Sequence, residues 1–99
     1  MDIVYRLQGM EFEWDENKAA ANIQKHGVTF EEAAEVFLDP FYQTGDASAD
    51  KKEERDFIIG YTFSQRLLLA VYTERVTRTR IISARPATRA ERKEYEEAN

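Results

Sequence analysis

A cluster of arginines near the C-terminal end of the chain carries the clearest chemical signal in the sequence. Residues 77–85 read TRTRIISAR, an alternation that predicts a β-strand. Because side chains alternate along a strand, we expect Arg78 and Arg80 on one face and Arg85 on the other. A guanidinium stays charged at all working pH values and binds phosphate through two parallel hydrogen bonds. The strand is therefore predicted to contact phosphate, unless its arginines pair with acidic residues on a helix.

Groups that could transfer a proton lie elsewhere in the chain. His26, the only histidine, follows Lys25 at the end of a predicted helix, where it could shuttle a proton or merely cap carbonyl groups. Glu54-Arg55 and residues 72–75 (YTER) fall at predicted strand ends. Metal-free RNA cleavage needs a base for the 2′-hydroxyl, cations for the phosphorane and an acid for the leaving 5′-oxygen. Taken alone, these residues indicate only that such chemistry is possible.

Composition excludes several other kinds of site. The chain has no cysteine, which excludes disulfides, cysteine-ligated zinc and thiol catalysis. A single histidine without HExxH spacing does not support a zinc site, and no glycine-rich phosphate loop is present. The apolar run at 67–72 is far shorter than the roughly 20 residues of a membrane span, and residues 1–9 lack a signal-peptide pattern. We therefore expect a cytoplasmic protein with no metal, no cofactor and no membrane contact.

The net charge of −5 conceals a strong asymmetry along the chain. Residues 11–56 contain 13 acidic and 5 basic side chains, whereas residues 66–93 contain 8 basic and 2 acidic ones. A segregated basic segment attracts phosphate locally even when the whole molecule is acidic. The alternative is that these arginines are simply solvated or form ion pairs within the protein.

The elements that must position these residues fit one domain spanning residues 1–99, in which residues 1–9 are a leader or an extra N-terminal strand. Asp15 and Gly27 are typical of the start and stop of a helix, and Thr29 with Glu32 forms a capping box for the next. Thr88 and Glu91 form a second box. The predicted helices cover 15–27, 29–38 and 88–98, and the predicted strands cover 11–14, 41–44, 56–62, 67–74 and 77–85.

Strands grouped after the first two helices predict an α+β fold. The connections around residues 64–66 and 75–76 are short enough only for hairpins, so the sheet is predicted to be antiparallel there. The run LLLAVY at 67–72 is apolar on both faces, which places it in the middle of the sheet. Residues 45–54 are polar and predicted to form an exposed loop. We expect two N-terminal helices and a C-terminal helix packed on a mainly antiparallel sheet of four to five strands.

Several segments of the chain together match a known pattern. The segments KHG (25–27) and RIISAR (80–85) are the most distinctive. The other matching segments are FEWDENK (12–18), NIQ (22–24), VTFEEA (28–33), VFLDP (36–40), ER (54–55), YTER (72–75) and TRAER (88–92), followed by Tyr95. Through these segments the chain resembles the BrnT toxin family over about residues 10–96.

This resemblance implies a RelE-like endoribonuclease toxin that cleaves RNA without a metal and blocks translation. It also implies a BrnA-type ribbon-helix-helix antitoxin as partner, through which the complex binds operator DNA. The candidate catalytic residues that it brings to this chain are Lys25, His26, Arg55, Glu74, Arg80 and Arg85. The side chains expected to contact RNA beside them are Tyr72, Arg75 and Arg78.

Two departures from the family pattern bear on activity. Many relatives have a histidine where this chain has Tyr72, and some have another in the polar loop, where residues 45–54 contain none. If either histidine transfers a proton in relatives, this chain must use another group. Two alternative hypotheses therefore stand beside the ribonuclease: a non-catalytic module that binds nucleic acid or protein, and a toxin homologue that has lost its activity.

Overall fold

A computed structural model describes residues 1–48 and 54–98 of the chain. The described residues form one six-stranded sheet and three α-helices, with a short 3-10 turn at Val36–Leu38. The strands are β1 (Asp2–Leu7), β2 (Met10–Asp15), β3 (Gln43–Asp46), β4 (Asp56–Tyr61), β5 (Leu67–Glu74) and β6 (Thr79–Pro86). The helices are α1 (Glu16–His26), α2 (Phe30–Glu35) and α3 (Arg89–Ala98).

The three helices begin where the capping residues of the sequence predict. The Asp15 carboxylate accepts a hydrogen bond from the Lys18 amide at 3.0 Å, and α1 ends at Gly27, whose φ of 67° is left-handed. The Thr29 hydroxyl accepts from the Glu32 amide at 3.0 Å. The box at α3 is reciprocal, since Thr88 and Glu91 each accept a hydrogen bond from the other's amide. The predicted helix starts are thus confirmed.

The sheet has the order β1-β2-β6-β5-β4-β3, and its pairs are antiparallel except for β2 with β6. The predicted antiparallel hairpins of β4, β5 and β6 are confirmed. The prediction of four to five strands is wrong, because residues 2–7 form a sixth strand that pairs with β2 along its whole length. Strand β3 lies two residues further along the chain than predicted, and the middle of the predicted polar loop falls outside the described residues.

The helices do not all pack on one face of the sheet, contrary to the expected single layer. Helix α2 and Ala19 of α1 cover the face that carries Phe12, Trp14 and Ile58, which form the main core with Phe30. Helix α3 packs on the opposite face, where Tyr95 contacts a smaller cluster. The helices therefore divide between the two faces, and we call the face that carries α3 the open face. Only one end of the open face is covered by α3.

A β-bulge in β6 changes which arginines share a face. Tyr72 of β5 pairs with Ile81 and Val71 pairs with Ser83, so Ile82 is an extra residue in β6. Beyond the bulge the alternation is inverted, because Ala84 rather than Arg85 points into the core. Strict alternation predicted that Arg80 and Arg85 lie on opposite faces of the sheet, and this prediction is wrong.

Helix α1 takes the place of a strand partner along part of β6. Strand β2 pairs with β6 only at Thr79 and Arg80, which leaves the later part of that edge without β2. There the buried Asn22 side chain donates to the Ala84 carbonyl at 2.8 Å and accepts from the Ala84 amide at 3.1 Å. Asn22 also donates to the Val28 carbonyl at 3.0 Å. The Asn22 side chain thus satisfies backbone hydrogen-bonding groups at this edge of β6 and fixes α1 beside the open face.

Candidate active site

A basic cleft of about 200 Å³ lies on the open face, at the end that α3 leaves uncovered. Four parts of the chain supply its walls: the first turn of α1, the residues just before β4, the end of β5 and the start of β6. The cleft is lined by Lys18, Glu54, Arg55, Thr73, Arg75, Arg80 and Ile82. Four cationic side chains and one carboxylate therefore surround a space that is open to solvent, an arrangement that suits a phosphate group.

Arg80 is held by two carboxylates. Its guanidinium donates to both oxygens of the Asp2 carboxylate, at 3.0 and 3.1 Å, and to Glu13 at 2.6 Å. These hydrogen bonds raise the pKa of Arg80 further above its ordinary value, and the bond from Arg80 holds the pKa of Asp2 below its usual range. Asp2 belongs to β1 and is half exposed, so one of the two carboxylates that hold Arg80 is open to solvent.

Two further arginines of the predicted set are also held by carboxylates. Arg78 donates to Glu11 at 3.0 Å, and this bond lowers the pKa of Glu11. Arg85 binds both oxygens of Glu91, at 2.7 and 2.8 Å, and these bonds lower the pKa of Glu91 to about 2. Arg85 thereby ties the end of β6 to the first turn of α3, on the same face as Arg80 but outside the lining of the cleft.

Three charged groups of the cleft have no ionic partner in the part of the chain that the structure describes. No carboxylate lies within 4.0 Å of the Lys18 ammonium or the Arg75 guanidinium, and no basic group lies that close to the Glu54 carboxylate. The backbone around Glu54 is nevertheless fixed, because the Thr73 hydroxyl of β5 donates to its carbonyl at 3.0 Å. These three side chains are therefore available to a ligand.

The structure brings only part of the predicted catalytic set together. Arg55 and Arg80 line the cleft, as does Arg75 from the predicted RNA contacts. Lys25 and His26 lie in the last turn of α1, whereas the first turn of that helix faces the cleft. Beside them, the Gly27 carbonyl accepts from Arg66, which precedes β5, while Thr73 of the cleft stands near the other end of β5.

Tyr72 and Glu74 point away from the cleft because they alternate with Thr73 along β5. The Tyr72 ring is buried in the core, where it packs edge to face on Phe37, and burial raises the pKa of its hydroxyl. The Glu74 carboxylate is exposed and accepts from the Thr79 hydroxyl at 3.4 Å. Their predicted roles therefore find no support in the lining of the cleft.

Sequence reasoning left Lys18, Glu54 and Thr73 out of the candidate site, although the structure places all three in the cleft. Lys18 lies in the matching segment FEWDENK, three residues after a strand end, and Glu54 stands next to Arg55. Glu54 was named from the sequence among the groups that could transfer a proton, at a predicted strand end, but was not included in the candidate catalytic set. An exposed lysine in a first helical turn has no feature in sequence that separates it from an ordinary surface lysine.

A second cleft on the open face, of about 410 Å³, is more apolar. It lies beside α3, and its floor consists of Phe57, Ile59, Leu69 and Val71. The charged groups at its rim include the paired Arg85 and Glu91. The chemistry of phosphate binding therefore belongs to the basic cleft.

The described residues contain neither a cluster of metal-binding side chains nor a membrane-spanning helix. Within residues 1–48 and 54–98, no three His, Asp or Glu side chains are placed to hold a metal ion. No helix in that part of the chain is long and apolar enough to cross a membrane.

Comparison with known proteins identifies the family. The model of the BrnT family, described as the ribonuclease toxin of a type II toxin–antitoxin system, matches residues 14–91. The crystal structure of the ribonuclease toxin BrnT of Brucella abortus is 28% identical and superposes with a TM-score of 0.62, covering 77% of this chain and 94% of that one. Among curated proteins there is no significant match. The family model covers most of the chain and a solved member shares the fold, so the chain belongs to the BrnT family of ribonuclease toxins of type II toxin–antitoxin systems.

Proposed function

We propose that this protein is an endoribonuclease that cleaves single-stranded RNA in the basic cleft without a metal ion. The observation that carries the proposal is the convergence of Arg55, Arg75 and Arg80 from three strand ends on one open cleft in a chain of net charge −5. Guanidinium groups bind the two non-bridging oxygens of a phosphodiester and stabilise the additional charge of the phosphorane. The 2′-hydroxyl of the preceding nucleotide attacks the phosphorus, so the nucleophile comes from the RNA itself.

The same proposal extends to the cell. Membership of a type II toxin–antitoxin family implies an antitoxin partner, and we propose a BrnA-type ribbon-helix-helix protein that binds operator DNA for the complex. Cleavage of RNA in the cytoplasm then inhibits translation. The antitoxin neutralises the toxin by blocking access to the cleft, either directly or from a neighbouring surface.

The test of the enzymatic proposal is cleavage of a single-stranded RNA by the purified protein in the presence of EDTA. We expect undiminished cleavage in EDTA, with products that end in a 2′,3′-cyclic phosphate. Arg75→Ala and Arg80→Ala should each lower the rate by about 10² to 10³, the usual cost of losing one donor to a developing charge. Arg89→Ala, which removes an exposed arginine of α3 outside the cleft, is the matched control.

Cleavage that requires a divalent metal contradicts the metal-independent mechanism. RNA binding without cleavage favours the non-catalytic module or the homologue without activity. Unchanged cleavage in both folded arginine variants would mean that the reaction occurs outside this cleft.

A further inference from the structure

We propose that Glu54 is the general base and Lys18 the general acid of RNA cleavage in the basic cleft. The proposal rests on the function proposed above and assigns its two proton transfers to residues outside the candidate catalytic set of the sequence analysis. Lys25, His26 and Glu74, the groups of that set that could transfer a proton, do not line the cleft.

The assignment follows from which groups in the cleft can exchange a proton. Of its seven lining residues, three are arginines, which do not release a proton in proteins. The pKa of Arg80 is raised still further by its carboxylate partners. Thr73 and Ile82 do not titrate. Glu54 is then the carboxylate that can accept a proton, and Lys18 is the cation that can donate one.

Both side chains are presented by fixed backbone and neither is committed to an ion pair. Lys18 stands in the first turn of α1, where its amide is bonded to Asp15 and the helix is anchored on β6 through Asn22. Glu54 precedes β4, and Thr73 holds its carbonyl. Within the described residues, the Glu54 carboxylate has no basic group within 4.0 Å although it lines a cleft that contains four cations. A structural carboxylate in such surroundings would be expected to form an ion pair, as Asp2 and Glu13 do with Arg80.

The reaction balances with these two groups. Glu54 takes the proton of the 2′-hydroxyl while the 2′-oxygen of the RNA forms a bond to phosphorus. The bond from phosphorus to the 5′-oxygen breaks. Lys18 gives its proton to that departing oxygen, which leaves as a hydroxyl. The products are a 2′,3′-cyclic phosphate and a 5′-hydroxyl, and exchange with water restores the carboxylate and the ammonium.

The test compares single-turnover cleavage of two RNA substrates, one natural and one with sulfur in place of the bridging 5′-oxygen at the cleavage site. A thiolate leaves without protonation, so the sulfur substrate does not need a general acid. The variants are Glu54→Gln, Lys18→Met and Lys18→Arg, the last of which keeps the charge and loses the transferable proton. Glu97→Gln and Lys93→Met, two exposed changes on α3, are the matched controls, and thermal unfolding confirms that each variant is folded.

We expect Glu54→Gln and Lys18→Arg each to slow cleavage of the natural RNA by about 10² to 10⁴, the usual contribution of general acid or base catalysis. The sulfur substrate should restore Lys18→Arg to nearly the wild-type rate and leave Glu54→Gln slow. Lys18→Met should be restored less than Lys18→Arg, because it also loses charge. Binding can be measured with an analogue of the RNA that has 2′-deoxy sugars and therefore cannot be cleaved. The affinity of Glu54→Gln for this analogue should not fall, since the change removes a negative charge from a phosphate-binding cleft.

Other outcomes overturn the proposal in distinguishable ways. If the wild type cleaves RNA and the folded Glu54→Gln and Lys18→Arg variants do so at full rate, the two assignments are wrong and the proposed function stands. If Lys18→Arg is slow on both substrates, Lys18 is not the acid. If the wild type cleaves neither substrate, both the proposed function and this inference fail.

Discussion

At the scale of single residues, the arginines of this protein differ in what holds them rather than in their charge. Arg78 and Arg85 are bound by carboxylates outside the cleft, and Arg80 is bound within it. Arg75 has no carboxylate within 4.0 Å in the described part of the chain. In the proposed function, an incoming phosphate therefore meets Arg75 directly and competes with Asp2 for Arg80.

This competition predicts that Asp2→Asn increases the affinity for RNA. The variant removes a half-exposed carboxylate that binds both terminal nitrogens of the Arg80 guanidinium and also repels phosphate. Exposed ion pairs are weak, so we expect a two- to fivefold decrease in Kd, roughly the range that such pairs can supply. Fluorescence anisotropy with a labelled RNA of 2′-deoxy sugars measures it, and Glu31→Gln, an exposed carboxylate on α2, is the control. Affinity that is equal or lower in Asp2→Asn would show that Arg80 takes no part in binding.

At the same scale, part of the site was predictable from the sequence and part was not. The arginines could be found because they lie in segments that match the family and because guanidinium groups are suited to binding phosphate. Lys18 could not be recognised, since its role depends on where α1 lies against β6. Tyr72 was assigned to RNA contact from its place in YTER, but alternation along β5 directs its ring into the core.

At the scale of elements, the geometry of the cleft depends on how α1 is attached to the sheet. Helix α1 brings Lys18 to the cleft, and Asn22 is the residue that joins this helix to the unpaired edge of β6. The Asn22 side chain is only 6% exposed, so its three hydrogen bonds are made away from water.

We therefore expect Asn22→Ala to lower the free energy of unfolding by about 2 to 4 kcal/mol, because it leaves the Ala84 amide and two carbonyls without partners in a buried place. Urea denaturation measures the change. Asn17→Ala, one and a half turns earlier on the same helix and exposed, is the matched control and should change stability by about 0.5 kcal/mol or less. A loss of less than about 1 kcal/mol in Asn22→Ala would contradict the role assigned to this side chain.

The elements themselves could largely be predicted because their signals are local. Asp15, Thr29 and Thr88 cap helices through contacts three residues away, so sequence spacing suffices to locate them. The bulge at Ile82 has no comparable signal, because two adjacent isoleucines fit a regular strand equally well. The parallel pairing of β2 with β6 joins residues 67 positions apart and depends on the packing of the whole sheet.

At the scale of the whole molecule, an acidic protein is proposed to bind a polyanion through a small region of positive charge. More than half of its acidic side chains lie in the first half of the sequence, and three of them, Asp2, Glu11 and Glu13, form ion pairs with Arg78 and Arg80. Binding should therefore depend on the few cations of the cleft rather than on the net charge of −5.

This distribution predicts the salt dependence of RNA binding. An RNA strand that fills the cleft contacts up to four cations, and each contact displaces about 0.7 counterions from a single strand. A plot of the logarithm of the association constant against the logarithm of the salt concentration should therefore have a slope of about −2 to −3. Titrations between 50 and 300 mM NaCl, roughly the range in which such slopes are measured, test it. Arg75→Ala should make the slope less steep by about 0.7, and Arg89→Ala should leave it unchanged. A slope near zero would mean that phosphate contacts do not determine the affinity.

The N-terminal hairpin of β1 and β2 affects how often Arg80 becomes accessible to solvent. Strand β1 has a neighbour on one side only, and β2 is joined to the rest of the sheet through two residue pairs, one of which includes Arg80. Outer strands with few connections open more often than central ones. The amide hydrogens of residues 2–7 should thus exchange with solvent sooner than those of β5, and each opening that removes Asp2 leaves the guanidinium of Arg80 more accessible. In the proposed function, the frequency of this local opening sets how often the cleft presents its full positive charge to RNA.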